Sequence, residues 1–275
     1  MSERYQPDKR RICLIFTLVC GIFLAFYEWK LKGWYADLVM RDVVDMIITR
    51  MIGGAVFLVL TLYMRYRVIN PVRSPFGKSL LITLPCFLVV VTNPPIQGLL
   101  FGLAHLDYTG AQLGGYIALF ALECFAIGFF EEFAFRSVVL LMIMEKRRKN
   151  RKQIFLSVLL SAAVFGAVHL VNLFTAGPGA VFLQIGYSFL IGGMCAFVLI
   201  KTANIWLCVL LHAVFDFAGK LVDTLGKGTW ISAPIIIFTA VLGVAVAAYV
   251  LHGFATLDPA LTDRLYTPSA RQEQK

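Results

Sequence analysis

Charge is scarce in this chain. Asp, Glu, Lys and Arg make up only 15% of its 275 residues, hydrophobic residues 59%, and the mean hydropathy is +0.79. Soluble domains carry about a quarter charged residues, and a water-soluble protein of this composition could not hide its apolar surface. Cysteine is sparse and unpatterned. Cys13, Cys20, Cys86, Cys124, Cys195 and Cys208 all lie in apolar stretches, with neither C-x-x-C nor zinc-ligand spacing. They read as small buried hydrophobes, which excludes a disulfide scaffold or zinc finger and leaves the redox compartment unread. No H-E-x-x-H occurs, so a contiguous zincin site is excluded. There is no internal repeat, low-complexity tract or soluble domain. The net charge of +9 comes from short basic clusters between apolar runs. That pattern fits a membrane surface and not a nucleic-acid partner.

What is abundant is long apolar sequence. A spanning helix needs roughly 17–25 mainly apolar residues. By that measure the chain is an all-α polytopic membrane protein of about eight spans, near 11–28, 46–64, 79–93, 113–144, 153–172, 181–200, 204–220 and 232–251. The first follows Lys9, Arg10 and Arg11 and imitates a signal peptide. Without a small-residue cleavage site before Glu28 it reads as a retained span. The third is interrupted by Pro85 and ended by Asn93-Pro94-Pro95. The fourth is too long for one straight crossing and must tilt, break or re-enter. Both termini are expected inside. The run from Glu145 to Lys152 then falls inside with Arg65, Arg67, Arg73 and Lys78, while 94–112 and 173–180 hold no Lys or Arg and fall outside. The outer segment 29–45 departs from the rule with Lys30, Lys32 and Arg41, and its Trp29, Trp34 and Tyr35 mark an interfacial stretch. Three parts are expected: N-terminal spans over 1–112, a catalytic core over 113–220, and a last span with a polar, poorly ordered tail over 221–275.

Ionisable residues in hydrocarbon are costly and mark function by default. Three clusters stand out. In Glu131-Glu132-x-x-x-Arg136 the residues four apart share a helical face, whereas neighbours are rotated by about 100°. Glu132 and Arg136 should therefore form a buried structural pair, leaving Glu131 for chemistry; the alternative is one packing network of all three. In Phe165-x-x-x-His169-x-x-Asn172, the Asn shares the His face and could support it. In His212-x-x-x-Asp216, an imidazole is placed to be oriented by a carboxylate, or both to bind one metal. Together, two acids, two imidazoles and an Asp on three spans are the parts of a water-activating site. Arg50 and Asp45 read as snorkelling residues, His105 and His252 as solvated or interfacial. The glycine pairs Gly53-Gly54 and Gly192-Gly193 read as close helix packing.

In this order, the three motifs resemble those of the CAAX prenyl protease and bacteriocin-processing (CPBP, Abi) family of intramembrane endopeptidases, over about residues 113–220. The resemblance implies that Glu131 activates water, assisted by His169 and His212, which either polarise the scissile carbonyl or hold zinc or another divalent metal. It also implies a membrane-associated or lipidated peptide substrate, in a multi-pass protein of the cell membrane. The family has Asn or Asp at the last motif position. Here it is Asp216, which when ionised accepts and does not donate, so orientation of His212 or metal ligation is favoured over an oxyanion role.

Two other readings use the same residues: a proton-coupled transporter, and a catalytically silent scaffold or immunity protein. The missing repeat symmetry and the crowding of acids into one half of the chain count against the transporter. The charge asymmetry makes a direct prediction. Single cysteines replacing Arg148 and Pro178 should react with a membrane-impermeant maleimide from opposite faces; labelling of both from one face would overturn the span map.

Overall fold

The computed structural model describes residues 40–69, 76–174 and 176–266. The predicted span 11–28 and the aromatic stretch with Trp29, Trp34 and Tyr35 lie outside the described residues, as do Cys13 and Cys20. The order is α1 (Arg41–Tyr63), α2 (Phe76–Val91), α3 (Pro94–Leu100), β1 (Ala104–Leu106), α4 (Gly110–Glu132), a π-helix (Phe133–Leu140), α5 (Leu141–Met144) and α6 (Arg151–Val168). A 3-10 turn (His169–Phe174), α7 (Pro178–Thr202), α8 (Ile205–Leu225), β2 (Gly226–Gly228), α9 (Ala233–Ala255) and a second 3-10 helix (Pro259–Leu265) complete it. Among the described residues six helices are long and apolar enough to cross a bilayer. A seventh span exists if α2 and α3, bent by 64°, are taken together. These coincide with all the predicted spans from 46–64 onward. The protein is an all-α, multi-pass membrane protein.

The ends of these helices follow from local chemistry. Asn150 caps α6 by accepting from Gln153 N at 3.0 Å, and Asn204 caps α8 by accepting from Trp206 N at 3.0 Å. Pro178 opens α7, where its missing N–H costs nothing. Pro85 stays inside α2, and the break falls at Asn93-Pro94, as the chain turns into α3.

α4, the π-helix and α5 form one continuous rod from Gly110 to Met144, 35 residues long. At 1.5 Å per residue that is about 50 Å, well over a hydrocarbon thickness of about 30 Å. The rod packs between α1 and α8 through glycines. A methyl group on Gly128 would lie 2.8 Å from Val209 O on α8, and the rings of Phe130 and Phe129 fill the space beside Gly53 and Gly54 on α1. Gly192 leaves room for Ala162 and the Arg136 guanidinium, whereas a methyl group on Gly193 would meet nothing within 4 Å. Only the first member of that pair serves packing. A short antiparallel pairing of β1 with β2, His105 opposite Lys227, clips the start of α4 to the end of α8. The two helices carrying the acid and the imidazole motifs are thus joined near one end by strands and in the middle by Gly128.

Two expectations need correcting. The chain after Leu251 is not a loose tail as far as Tyr266. α9 runs on to Ala255, and Leu257, Thr262 and Leu265 are buried. Tyr266 donates to Leu141 O at 2.9 Å, Arg148 Nε bonds Asp263 Oδ1 at 3.0 Å and lies over the Tyr266 ring, and Arg151 Nε donates to Leu257 O at 2.6 Å. Burial pushes the Tyr266 phenol up in pKa, so it remains a donor. A few apolar anchors, masked by polar neighbours in the composition, dock this strap on the basic run. Second, Asp45 is buried beside Arg41 (3.9 Å) and does not snorkel.

The glycine crossing is testable. Gly128→Ala should lower stability in detergent by about 1–3 kcal/mol, the usual cost of overpacking, while Gly193→Ala should be neutral or slightly stabilising. Equal melting temperatures for the two variants would refute the crossing.

Candidate active site

The site begins behind the cavity, with Phe165. Its ring is 1% exposed. Arg136 Cζ sits 4.3 Å above the ring centroid, and the imidazoles of His169 and His212 meet it edge-on at 5.3 and 5.9 Å. One aromatic side chain on α6 thereby sets the positions of groups from the π-helix, the 3-10 turn and α8.

Arg136 Nε pairs with Glu132 Oε2 at 3.0 Å, both side chains essentially fully buried. The other carboxylate oxygen, Oε1, accepts from His212 Nδ1 at 2.7 Å. An ionised carboxylate can only accept, so Nδ1 carries the proton of this bond and Nε2 is the ring atom presented forward. Nε2 lies 3.5 Å from Glu131 Oε2 and 4.0 Å from Asp216 Oδ1. The adjacent acids point apart as helical rotation requires. Glu131 faces a cavity of about 460 Å³, and Glu132 is turned into the core behind it.

That cavity also receives His169, Asn172, Asp216 and several groups that the sequence reading did not anticipate there: Arg50, Gln184, Tyr187 and Lys220. His169 Nδ1 is 3.0 Å from Phe165 O, a bond made available where α6 gives way to the 3-10 turn. Asn172 Nδ2 donates to Gln184 Oε1 at 2.7 Å across to α7. Phe165, Glu132 and Arg136 stand outside the cavity wall and hold groups that line it.

Two sequence readings change here. Orientation of His212 falls to Glu132 and not to Asp216, because Asp216 Oδ2 is drawn to Lys220 Nζ, one turn along α8, at 3.2 Å. Arg50, read from the sequence as snorkelling, lines the cavity, its guanidinium 5.1 Å from the Phe130 ring centroid. The signal for Lys220 was present in the sequence as a second i,i+4 step, His212 to Asp216 to Lys220. It was obscured because a lysine at a span end ordinarily snorkels. Glu123, half-buried two turns before Glu131 on α4, was likewise passed over.

Residues 113–218 match the family model described as Rce1-like, type II CAAX prenyl endopeptidase. Over this segment the chain is similar to the CAAX protease family. No curated protein and no solved structure matches the chain. The matched segment contains Glu131, Glu132, Arg136, Phe165, His169, His212 and Asp216. A metal on His169 and His212 would need at least a third converging donor. Among the described residues no three His, Cys, Asp or Glu side chains gather closely enough to hold one. His212 Nδ1 is held by Glu132, which leaves Nε2 as the ring nitrogen that a ligand would meet.

Breaking one side of the buried pair leaves the other charge uncompensated, at a cost of about 3–5 kcal/mol. Glu132→Gln and Arg136→Leu should therefore lower the melting temperature and the folded yield in detergent as well as any activity. Full stability of both variants would show that the pair does not hold the site together.

Proposed function

We propose that this protein is an intramembrane endopeptidase that hydrolyses a peptide bond at the membrane with water activated by Glu131. The observation that carries the reading is the arrangement at His212. One ring nitrogen is fixed by Glu132 at 2.7 Å, and the other faces Glu131 at 3.5 Å on a cavity wall shared with His169. A carboxylate and an imidazole aimed at the same point, each backed by a rigid helix, are the means of moving a proton to and from water.

In the proposed reaction a water molecule seated between Glu131 and the imidazoles gives its proton to Glu131 as its oxygen bonds to the scissile carbonyl carbon. The carbonyl π pair moves onto oxygen. Collapse of the tetrahedral adduct breaks the C–N bond, and the departing amine takes the proton from Glu131. His212, whose Nδ1–H is held by Glu132, and His169, whose Nδ1–H is held by the Phe165 carbonyl, present Nε2 as acceptors that orient the attacking water. Phe130, Phe135, Ile191 and Phe215 give the cavity an apolar wall suited to a membrane-associated or lipidated peptide. The family's name makes a prenylated peptide the first substrate to try.

The test uses the full chain purified in detergent or liposomes and a quenched reporter peptide in two forms, one ending in a farnesylated CAAX tetrapeptide and one without the lipid. Glu131→Gln should lower turnover by about 10²–10⁴-fold, the range for general acid–base catalysis, with peptide binding nearly unchanged. His169→Ala and His212→Ala should also lose turnover, and cleavage should survive 1,10-phenanthroline. Wild-type turnover by Glu131→Gln would end the hydrolase reading in favour of a proton relay or a silent scaffold.

A further inference from the structure

Asp216 closes the third motif, yet in this fold it makes its short contact with a group outside that motif. Its Oδ2 is 3.2 Å from Lys220 Nζ, and its Oδ1 is 4.0 Å from the His212 nitrogen that faces Glu131. Asp216 itself is 6% exposed, while the Lys220 side chain is 46% exposed and contributes to the cavity lining. The lysine thus stands at the rim, tethered to a buried carboxylate and reaching into the same space as the acid and the imidazoles.

The reaction proposed above creates a negative oxygen that needs a donor. An ionised Asp216 cannot supply one. A lysine has three N–H donors on a flexible stem. One is used on Asp216, which leaves two for an incoming oxygen. We propose, on the basis of the endopeptidase reading, that Lys220 is a catalytic residue of this site. Its ammonium donates to the scissile carbonyl oxygen as that oxygen becomes an alkoxide, and Asp216 is the positioning residue that holds it. The sequence of events balances: the π pair reaches oxygen when water attacks, Lys220 stays protonated while it stabilises that charge, and the pair returns to reform C=O as the amine leaves. His212-x-x-x-Asp216-x-x-x-Lys220 presents imidazole, carboxylate and ammonium along one face of α8, in the order that attack and charge stabilisation require.

Arg50 is the competing cation on the cavity wall. It stands across the cavity on α1, stacked on Phe130, and among the described residues no contact ties it to the His212–Asp216 face.

The experiment compares Lys220→Met, Lys220→Arg and Arg50→Met in the full-length protein, with cleavage of the farnesylated reporter and inhibition by its peptidyl phosphonate, a tetrahedral analogue, as readouts. Lys220→Met should lower kcat by about 10²–10³-fold, the usual loss for one oxyanion donor. KM should stay within about threefold, and the phosphonate should weaken by the same factor as kcat/KM. Binding of the uncleaved peptide, measured in a Glu131→Gln background, should not change. Lys220→Arg keeps the charge and should retain most of kcat. If Lys220→Met does not fold, Lys220→Gln, which keeps a donor for Asp216, takes its place with the same expected losses in smaller measure. Equal weakening of peptide and phosphonate would make Lys220 a substrate-holding or structural group and overturn the proposal, as would a phosphonate-selective loss found in Arg50→Met alone. Wild-type protein that cleaves, with Glu131→Gln inactive and Lys220→Met at full turnover, overturns only the role of Lys220. Wild-type protein that cleaves nothing overturns the endopeptidase reading and this role with it.

Discussion

A carboxylate buried in a membrane protein needs enough partners to offset the loss of water, and Glu132 has two. Arg136 neutralises one oxygen and His212 donates to the other, with all three side chains at most a few per cent exposed. The remaining parts of the site are arranged around that three-group contact. Arg136 needs the face of Phe165 and the space left by Gly192. His212 needs α8 to approach α4 closely enough for its ring to reach Glu132, and Gly128 permits that approach. Once the ring is fixed, its second nitrogen has one place to point, which is toward Glu131. The polarity of the cavity is therefore decided by a contact that is not part of the cavity wall.

Much of this fold is legible in the amino-acid order alone, because apolar runs of spanning length and the positions of Lys and Arg are dominated by the bilayer, a simple and uniform solvent. The separate facing of Glu131 and Glu132 was legible for an equally simple reason, the rotation between adjacent helical residues. What the sequence hid were partnerships between helices. Nothing local to Glu132 says that its second partner is 80 residues away on α8. Nothing local to Arg50 says that its helix faces a polar cavity. The strap from Leu257 to Tyr266 was misread because its composition is polar, although three anchors suffice to dock it.

Asp216 shows how position in a motif and role in a fold can separate. Its i,i+4 spacing to His212 is real, but the same spacing to Lys220 exists one turn later, and the ammonium is the nearer partner, at 3.2 Å against 4.0 Å. The Asp in this chain is thereby coupled to a charge that an Asn at the same place would not hold so firmly.

The long rod has a mechanical consequence. Its crossing with α8 at Gly128 acts as a fulcrum, and beyond the π-helix the rod is tethered by Tyr266 at Leu141. The Gly110 end extends about 27 Å from that fulcrum, whereas Glu131 is only about 4.5 Å from it, at 1.5 Å per residue. A sideways displacement of the strand-clipped end, which α8 would share through the β1–β2 pairing, is thus scaled down about sixfold at the carboxylate. Glu131 lies close to the glycine crossing, where the geometry makes such a displacement smallest.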